Sequence, residues 1–328
     1  MSKTYILIDT FNMFHRAKHV IRSSSLDEKV GMCLHVMFNS IRKVYRDHSA
    51  DHAVFCIEGK SWRKDFYKEY KFNRTAARMA RTEAEIEEDA ALMEAYNDLI
   101  TFINDKTNSS VLHHHKAEAD DMIATWIQNN PNDNHIIVSS DSDFFQLLAP
   151  NVKIYNGITE QLITLEGFFD NKGKPVIDNK TKKPKVAPDP KWLLFEKCIR
   201  GDKSDFIFAA YPGARETSSK NKVGMREVFA DMDNKGYAWN NFMLTKITDS
   251  AGNEFVVHDK YEFNKTLIDL TCQPDDLKTE FKTVTDVARN KPPVSNVGIH
   301  FLKFCNRWAL EQISKYPDEF AKLLNAKP

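Results

Sequence analysis

Nine carboxylates stand at punctuated positions in this sequence: Asp9, Glu58, Glu118, Asp120, Asp121, Asp141, Asp143, Asp202 and Asp205. Asp9 follows the apolar run Tyr5–Ile8, Glu58 follows Ala53–Ile57, and Asp141 follows Ile136–Val138 through Ser139 and Ser140. Hard divalent cations such as Mg²⁺ take oxygen ligands of this kind and keep several waters. Two such ions a few ångströms apart activate a water and stabilise the leaving oxygen of a phosphodiester. Converging carboxylates repel one another, so a shared site needs bound cations or large pKa shifts. Taken singly, each acid is also what a helix N-cap or a first helical turn supplies. The joint order and spacing argue for chemistry.

These acids must be positioned by strands and helices. Tyr5–Ile8, Ala53–Ile57 and Ile136–Val138 are apolar on both faces, the pattern of buried parallel strands. Between them, Val30, Cys33, Leu34, Met37, Phe38, Ile41, Val44 and Tyr45 share one helical face. Thr82-Glu83-Ala84-Glu85 forms a capping box, and Ile86, Met93 and Ile100 continue that helix. The fold class expected is therefore α/β, a mostly parallel central sheet flanked by helices. In such sheets ligands bind beyond the carboxyl ends of the strands, where Asp9, Glu58 and Asp141 fall. Residues 170–190 read as an exposed hairpin or loop. Asp189-Pro190 opens a helix running through Cys198. Residues 200–230 carry turn signals, and the last ninety or so residues read as mainly helical. Phe144, Phe145, Leu147 and Leu148 sit at helical spacing and read as core. His113-His114-His115 reads as a strand end or surface run, because adjacent strand residues face opposite ways and cannot easily share one metal.

The chain has 328 residues, 42% hydrophobic, enough for a substantial core. No apolar run reaches membrane-spanning length. The N-terminal apolar stretch is too short for a signal peptide. Five scattered cysteines without a CxxC pair fit a reduced, cytoplasmic protein, and a monomer is expected. The net charge is zero, which disfavours a broadly basic nucleic-acid binder. That total hides segregation. From Lys60 to Arg81 there are eight basic residues (Lys60, Arg63, Lys64, Lys68, Lys71, Arg74, Arg78 and Arg81) against two acidic ones, Asp65 and Glu69. Phosphate neutralisation needs such a local excess.

Five stretches, YILIDTFNMFHRA, VFCIEGKSWRKDFYKEYKFNR, KAEADDMIA, IIVSSDSDFFQLL and IRGDKSDFI, together resemble the 5′-nuclease family. That family includes flap endonucleases and the N-terminal domains of bacterial DNA polymerase I, and its T4-type phage RNase H branch resembles this chain most. The stretches cover about residues 4–210 in the family's order. The resemblance implies a PIN-like nuclease core over 1–165 with a helical arch at about 65–100. It also implies a region at 166–235 holding second-site carboxylates and an H3TH (helix, three turns, helix) module, then a mainly helical 236–328. By the same resemblance, Asp9, Glu58, Glu118, Asp120 and Asp141 hold a first Mg²⁺. Asp121, Asp143, Asp202 and Asp205 hold a second, with Mn²⁺ substituting. Glu58 departs from the family's aspartate and is longer by a methylene, which alters reach or places a water between it and the ion.

Within Tyr70-Lys71-Phe72-Asn73-Arg74, the resemblance implies that Lys71 and Arg74 clamp the scissile phosphate and that Tyr70 stacks on an unpaired base. Asp9, Asp141, Lys71 and Arg74 are thus the implied catalytic set. Arg78 and Arg81 extend the DNA-binding run. In the H3TH region Gly213 and Gly224 are too widely spaced for the family's potassium site, but Arg215, Lys220, Lys222 and Arg226 offer cations to a duplex backbone. The implied substrates are branched or 5′-ended duplex DNA and RNA–DNA hybrids, cut during replication or repair, including removal of RNA primers. A replication single-strand-binding protein docking on the C-terminal region is the implied protein partner. Two other readings stand beside this one. A PIN-type ribonuclease shares the sheet and acids but lacks the segments after the sheet. A non-catalytic DNA-binding scaffold is favoured by Glu58 alone.

Overall fold

A computed structural model describes residues 2–21, 25–220, 222–248 and 252–328. Its strands, in chain order, are β1 (Thr4–Asp9), β2 (His52–Cys56), β3 (Ser110–Leu112), β4 (Asn134–Val138), β5 (Val152–Asn156), β6 (Gln161–Thr164), β7 (Gly167–Phe169), β8 (Lys246–Thr248) and β9 (Glu254–Val256). Its helices are α1 (Thr10–Val20), α2 (Leu26–Asp47), α3 (Arg63–Phe66), α4 (Phe72–Met79), α5 (Glu83–Lys106), α6 (Ala119–Asn129) and α7 (Pro190–Arg200). They continue with α8 (Met225–Ala230), α9 (Tyr237–Met243), α10 (Val257–Ile268), α11 (Asp275–Arg289), α12 (Val297–Arg307), α13 (Glu311–Ser314) and α14 (Pro317–Asn325).

Two compact units form. One comprises the residues up to Ser61, Arg81–Pro188 and Pro274–Pro328; the other comprises Trp62–Ala80 and Asp189–Gln273. In the first, among the described residues, one sheet has the strand order β3-β2-β1-β4-β5-β6-β7. β3, β2, β1, β4 and β5 are parallel neighbours, and β6 and β7 add antiparallel. The chain lays β2 and β3 to one side of β1 and then crosses to β4 on the other. The C-terminal ends of β1 and β4 therefore flank the topological switch point, where α/β sheets open a ligand crevice.

The expected α/β class holds, and so do several local signals. On α2 the residues Val30, Cys33, Leu34, Met37, Phe38, Ile41 and Val44 are buried, as their spacing predicts. Thr82 and Glu85 form both halves of the capping box. The Asp189 side chain accepts from the Trp192 amide at 3.1 Å, with Pro190 in the first turn.

The helix expected to run from Thr82 through Ile86, Met93 and Ile100 is α5, and Leu92, Ala95, Tyr96, Leu99, Phe102 and Ile103 form its buried face. Other expectations need correction. Within the span expected for the arch, Leu92, Ala95, Tyr96 and Leu99 of α5 are buried in the first unit's core. The boundaries expected at 165 and 235 also differ from the two compact units. Helices α11 to α14 return to the first unit, where Phe301 and Phe304 contact Phe38 at 5.6 and 5.9 Å between ring centroids. Amphipathic helices bury their apolar stripe wherever a complementary face exists, and chain order does not tell where that face is. Phe144 to Leu147 lie in a 3₁₀ helix, with Phe144 and Leu148 buried.

Candidate active site

In the first unit, seven of the nine acids gather where three adjacent strands end. Asp9 is in register with Cys56 of β2, and Ile8 with Val138 of β4. Neighbouring strands lie about 4.8 Å apart, so side chains leaving β2, β1 and β4 start within roughly 10 Å of one another. Each acid is first held by its local backbone. Asp9 caps α1 by accepting from the Asn12 amide at 3.3 Å. Asp141 accepts from the Asp143 amide at 3.0 Å. Glu118 caps α6, its own amide donating to Asp121 at 3.0 Å. The bland capping role and the convergence of acids therefore coexist in the same residues.

The first subgroup is organised by a serine. The Ser139 hydroxyl donates to Asp9 Oδ2 at 2.9 Å and accepts from the Asp141 amide at 3.1 Å. Ser140 donates through its hydroxyl to Asn12 Oδ1 at 2.8 Å, tying the loop after β4 to α1. Asp9 is 6% exposed, and burial pushes its carboxyl up to about 6 despite the Ser139 and Asn12 hydrogen bonds. Asp141 is exposed and Asp143 half-buried.

The second subgroup lies at β2 and α6. The Ala119 amide donates to Glu58 Oε2 at 3.3 Å, and the Ser61 hydroxyl donates to Glu118 Oε2 at 2.8 Å. Glu118, Asp120 and Asp121 each place a carboxylate oxygen within 4.8 Å of the others'. The loop that presents Glu58 is laced to the 113–117 loop. Gly59 and Lys60 donate to the Ala117 and His115 carbonyls, both at 2.8 Å. A Cβ on Gly59 would lie 2.2 Å from the His114 carbonyl oxygen, so only glycine permits this approach. The histidine run sits in that loop after β3, with His114 Nε2 3.0 Å from Glu280, as the strand-end reading expects.

These residues fit a hard divalent ion. The donors are all oxygen, three are drawn from one helix start, and Asp9 carries a burial cost that a nearby cation would relieve.

The other two acids belong to the second unit, in a tight loop after α7. Gly201 adopts φ +73, and Asp202 and Ile207 exchange backbone hydrogen bonds at 2.8 and 2.7 Å. Asp202 is 2.7 Å from Lys197 Nζ and accepts from the Ser204 amide and hydroxyl. Burial alone would raise the Asp202 carboxyl, but Lys197 and Ser204 outweigh it and hold it below the usual range. Asp205 accepts from the Tyr70 hydroxyl at 3.0 Å, lies 2.8 Å from Arg74 Nη2, and lies 3.7 Å from Lys71 Nζ. Both acids are thus paired with cations.

Two further expectations change in this unit. Tyr70 is 3% exposed within the core cluster of Trp192, Phe195 and Ile199, so its ring offers no face to a base. Arg63 is buried, with Nε donating to the Leu267 carbonyl at 2.7 Å, and it leaves the phosphate-facing run. Arg78 is exposed, as are Arg215, Lys220, Lys222 and Arg226. Arg226 pairs with Glu216 at 2.8 Å and lies 3.6 Å over the Trp192 ring. In the first unit Arg81 is paired with Asp89. Ser139, Ser61, Gly59 and Lys197 were missed in the sequence. Only Ser139 carried a signal, as part of the turn before Asp141.

Residues 4–173 match the family model for the 5′-3′ exonuclease, N-terminal resolvase-like domain. The 5′-3′ exonuclease of Mycoplasmopsis pulmonis is 28% identical over 224 residues, covering 67% of this chain and 66% of that protein. Ribonuclease H of Enterobacteria phage T4 is 27% identical over 290 residues, 84% of each chain. Among solved structures, the bacteriophage T5 D15 flap endonuclease, in a pseudo-enzyme-product complex with DNA and metal ions, aligns with a TM-score of 0.59. The identity is 18%, over 87% of this chain and 99% of that one, so this likeness concerns the fold.

Proposed function

The chain belongs to the 5′-3′ exonuclease family, and on that premise we propose that it is a divalent-metal-dependent 5′ nuclease acting on flapped or 5′-ended duplexes, RNA–DNA hybrids included, in replication or repair. The observation that carries this reading is the clustering of Glu118, Asp120 and Asp121 oxygens within 4.8 Å of one another, at the sheet edge that also presents Asp9.

In the proposal, Asp9, Glu58, Glu118, Asp120 and Asp141 hold the first Mg²⁺, with Asp121 and Asp143 beside them. An ion held there supplies the Lewis acidity that activates water and stabilises the departing oxygen of a phosphodiester. Ser139 fixes the orientation of Asp9 and Asp141, and Ser61 that of Glu118. Arg74 and Lys71 are the cations assigned to the scissile phosphate, where charge grows in the transition state. For Asp202 and Asp205 a role in ion binding requires release from Lys197 and Arg74. The exposed cations Arg215, Lys220, Lys222 and Arg226, on the turns and helix that follow α7, are assigned to the duplex backbone, the role of an H3TH module.

The test is cleavage of a labelled 5′-flap duplex, a blunt duplex, an RNA–DNA hybrid and single-stranded RNA, each with Mg²⁺ and with EDTA. Flap and hybrid cleavage that disappears with EDTA is expected. Preference for single-stranded RNA would favour a PIN-type ribonuclease instead. Binding without cleavage would leave only a scaffold.

A further inference from the structure

The second unit displays an aromatic run that the catalytic reading leaves unused. Phe72 is 59% exposed and Phe208 is 56% exposed. Phe206 joins them, its ring centroid 6.1 Å from that of Phe72 and 5.1 Å from that of Phe208. The rings are tilted by 53° and 68°, so they present successive faces and edges instead of one flat plane. Contiguous exposed apolar surface of this kind marks an interaction site. Phe206 also takes φ 61, a conformation in which a bulky side chain is an outlier. The Tyr67 hydroxyl, which donates to Glu69 Oε2 at 2.9 Å, also lies 3.3 Å from the Phe206 carbonyl.

Charge identifies the occupant. Asn73 Nδ2 donates to the carbonyls of Lys203 and Ser204 at 3.2 and 3.1 Å. This contact brings the start of α4, with Phe72 and Arg74, onto the loop that carries Lys203, Phe206 and Phe208. Lys203 and Arg74 are exposed, and the acid among them, Asp205, is shared by Arg74 and Lys71, so Lys71, Arg74 and Lys203 outnumber it and the surface stays positive. Rings interleaved with cations match a strand of unpaired nucleotides: every base has a face to stack, and each phosphate meets a positive charge. We propose that Phe72, Phe206 and Phe208 form a stacking platform for unpaired bases of the substrate's 5′ strand. This deepens, and rests on, the nuclease reading. It also gives these rings the base-stacking role that the buried Tyr70 cannot fill.

The experiment measures binding by fluorescence anisotropy in EDTA, so that catalysis does not enter. The ligands are a labelled duplex with an unpaired 5′ arm and the same duplex made blunt. Combined Phe72→Ala and Phe208→Ala substitutions are expected to weaken binding of the armed duplex by about tenfold or more and of the blunt duplex by less than about twofold. Phe208→Trp should retain binding and Phe208→Leu should lose it as alanine does. Equal losses on both duplexes, unchanged binding, or full retention by Phe208→Leu would overturn the platform. Retention by leucine is the outcome for an apolar docking patch that takes a protein. As a check independent of folding variants, 2-aminopurine placed in the unpaired arm should be quenched by the wild-type chain, and unquenched fluorescence at saturation overturns the proposal. Normal flap cleavage in Mg²⁺ with unaffected variants sinks the platform alone. Absence of cleavage with arm-specific binding intact sinks the nuclease reading alone.

Discussion

Asp9 is the residue on which the local chemistry turns. Its folded pKa of about 6 lies above the ordinary 3.8, because burial disfavours the charge. Between those values the native state binds a proton that the unfolded chain does not, so this group favours the native state as pH falls through 6 and opposes it as pH rises. A divalent cation reverses the balance by stabilising the carboxylate. Mg²⁺ is therefore expected to raise the melting temperature more at pH 7.5 than at pH 5, and Asp9→Asn should erase most of that difference in differential scanning fluorimetry. At Asp141, replacement by Asn should abolish flap cleavage while DNA binding persists; loss of binding would make Asp141 a structural cap alone. Ser139 bonds the Asp9 carboxylate and the Asp141 backbone amide, so Ser139→Ala should lower the cleavage rate by about 10- to 100-fold, the range for groups that orient ligands. A rate unchanged in single-turnover kinetics would remove the serine from the site. None of these serine contacts was legible in the sequence, because a hydroxyl's partner depends on which strand lies alongside.

At the scale of elements, β2 carries both the Glu58 loop and a buried histidine. His52 Nδ1 lies 2.9 Å from the Ala326 carbonyl, and the Ser110 amide donates to Nε2 at 3.2 Å. The ring is thus neutral, with the proton on Nδ1. Burial pulls its pKa down to about 4 from 6.5. The stability this neutral ring contributes is complete above pH 6.5 and is lost as pH falls toward 4, a total on the order of 3 kcal/mol. His52→Gln should flatten that part of the stability–pH curve in urea titrations at pH 7, 5.5 and 4.5. The opposite contribution of Asp9 is common to both proteins and drops out of the comparison. An unaltered slope would show that His52 protonates freely. The neighbouring Gly59 is constrained by space: Gly59→Ala must push a Cβ against the His114 carbonyl, so weaker Mg²⁺ affinity and a lower melting temperature are expected. The cap of α7, the capping box of α5 and the buried face of α2 were all readable, since they depend on residues within one or two turns. The buried face of α5 was not, because two stripes on that helix carry apolar residues and only the partner selects between them.

Over the whole molecule, the C-terminal helices are part of the first unit's core. Val297, Phe301, Phe304, Cys305, Leu310, Ile313, Phe320, Leu323 and Leu324 are buried there. At about 1.5–3 kcal/mol per large apolar side chain, their removal exceeds the typical net stability of about 5–15 kcal/mol. Deleting residues 297–328 should therefore abolish cooperative unfolding and metal-dependent cleavage together; a cooperative thermal transition in the truncated chain would show the sheet to be self-sufficient. The second unit is also assembled from distant segments, with Trp62–Ala80 packed against Asp189–Gln273.

By itself, the order of residues determined which strands are buried on both faces, where helices start, and that an acid follows each of three strands. Those features arise from local sterics, hydrogen bonding and periodicity, which act over a few residues. Only the tertiary structure decided that Ser139 bridges Asp9 and Asp141, that Arg74 and Lys71 are held by Asp205, that Tyr70 turns inward while Phe72 and Phe208 face out, and that the last helices close the first core. Each of these joins residues far apart in the chain, and such contacts are chosen by shape and charge complementarity after the elements have formed.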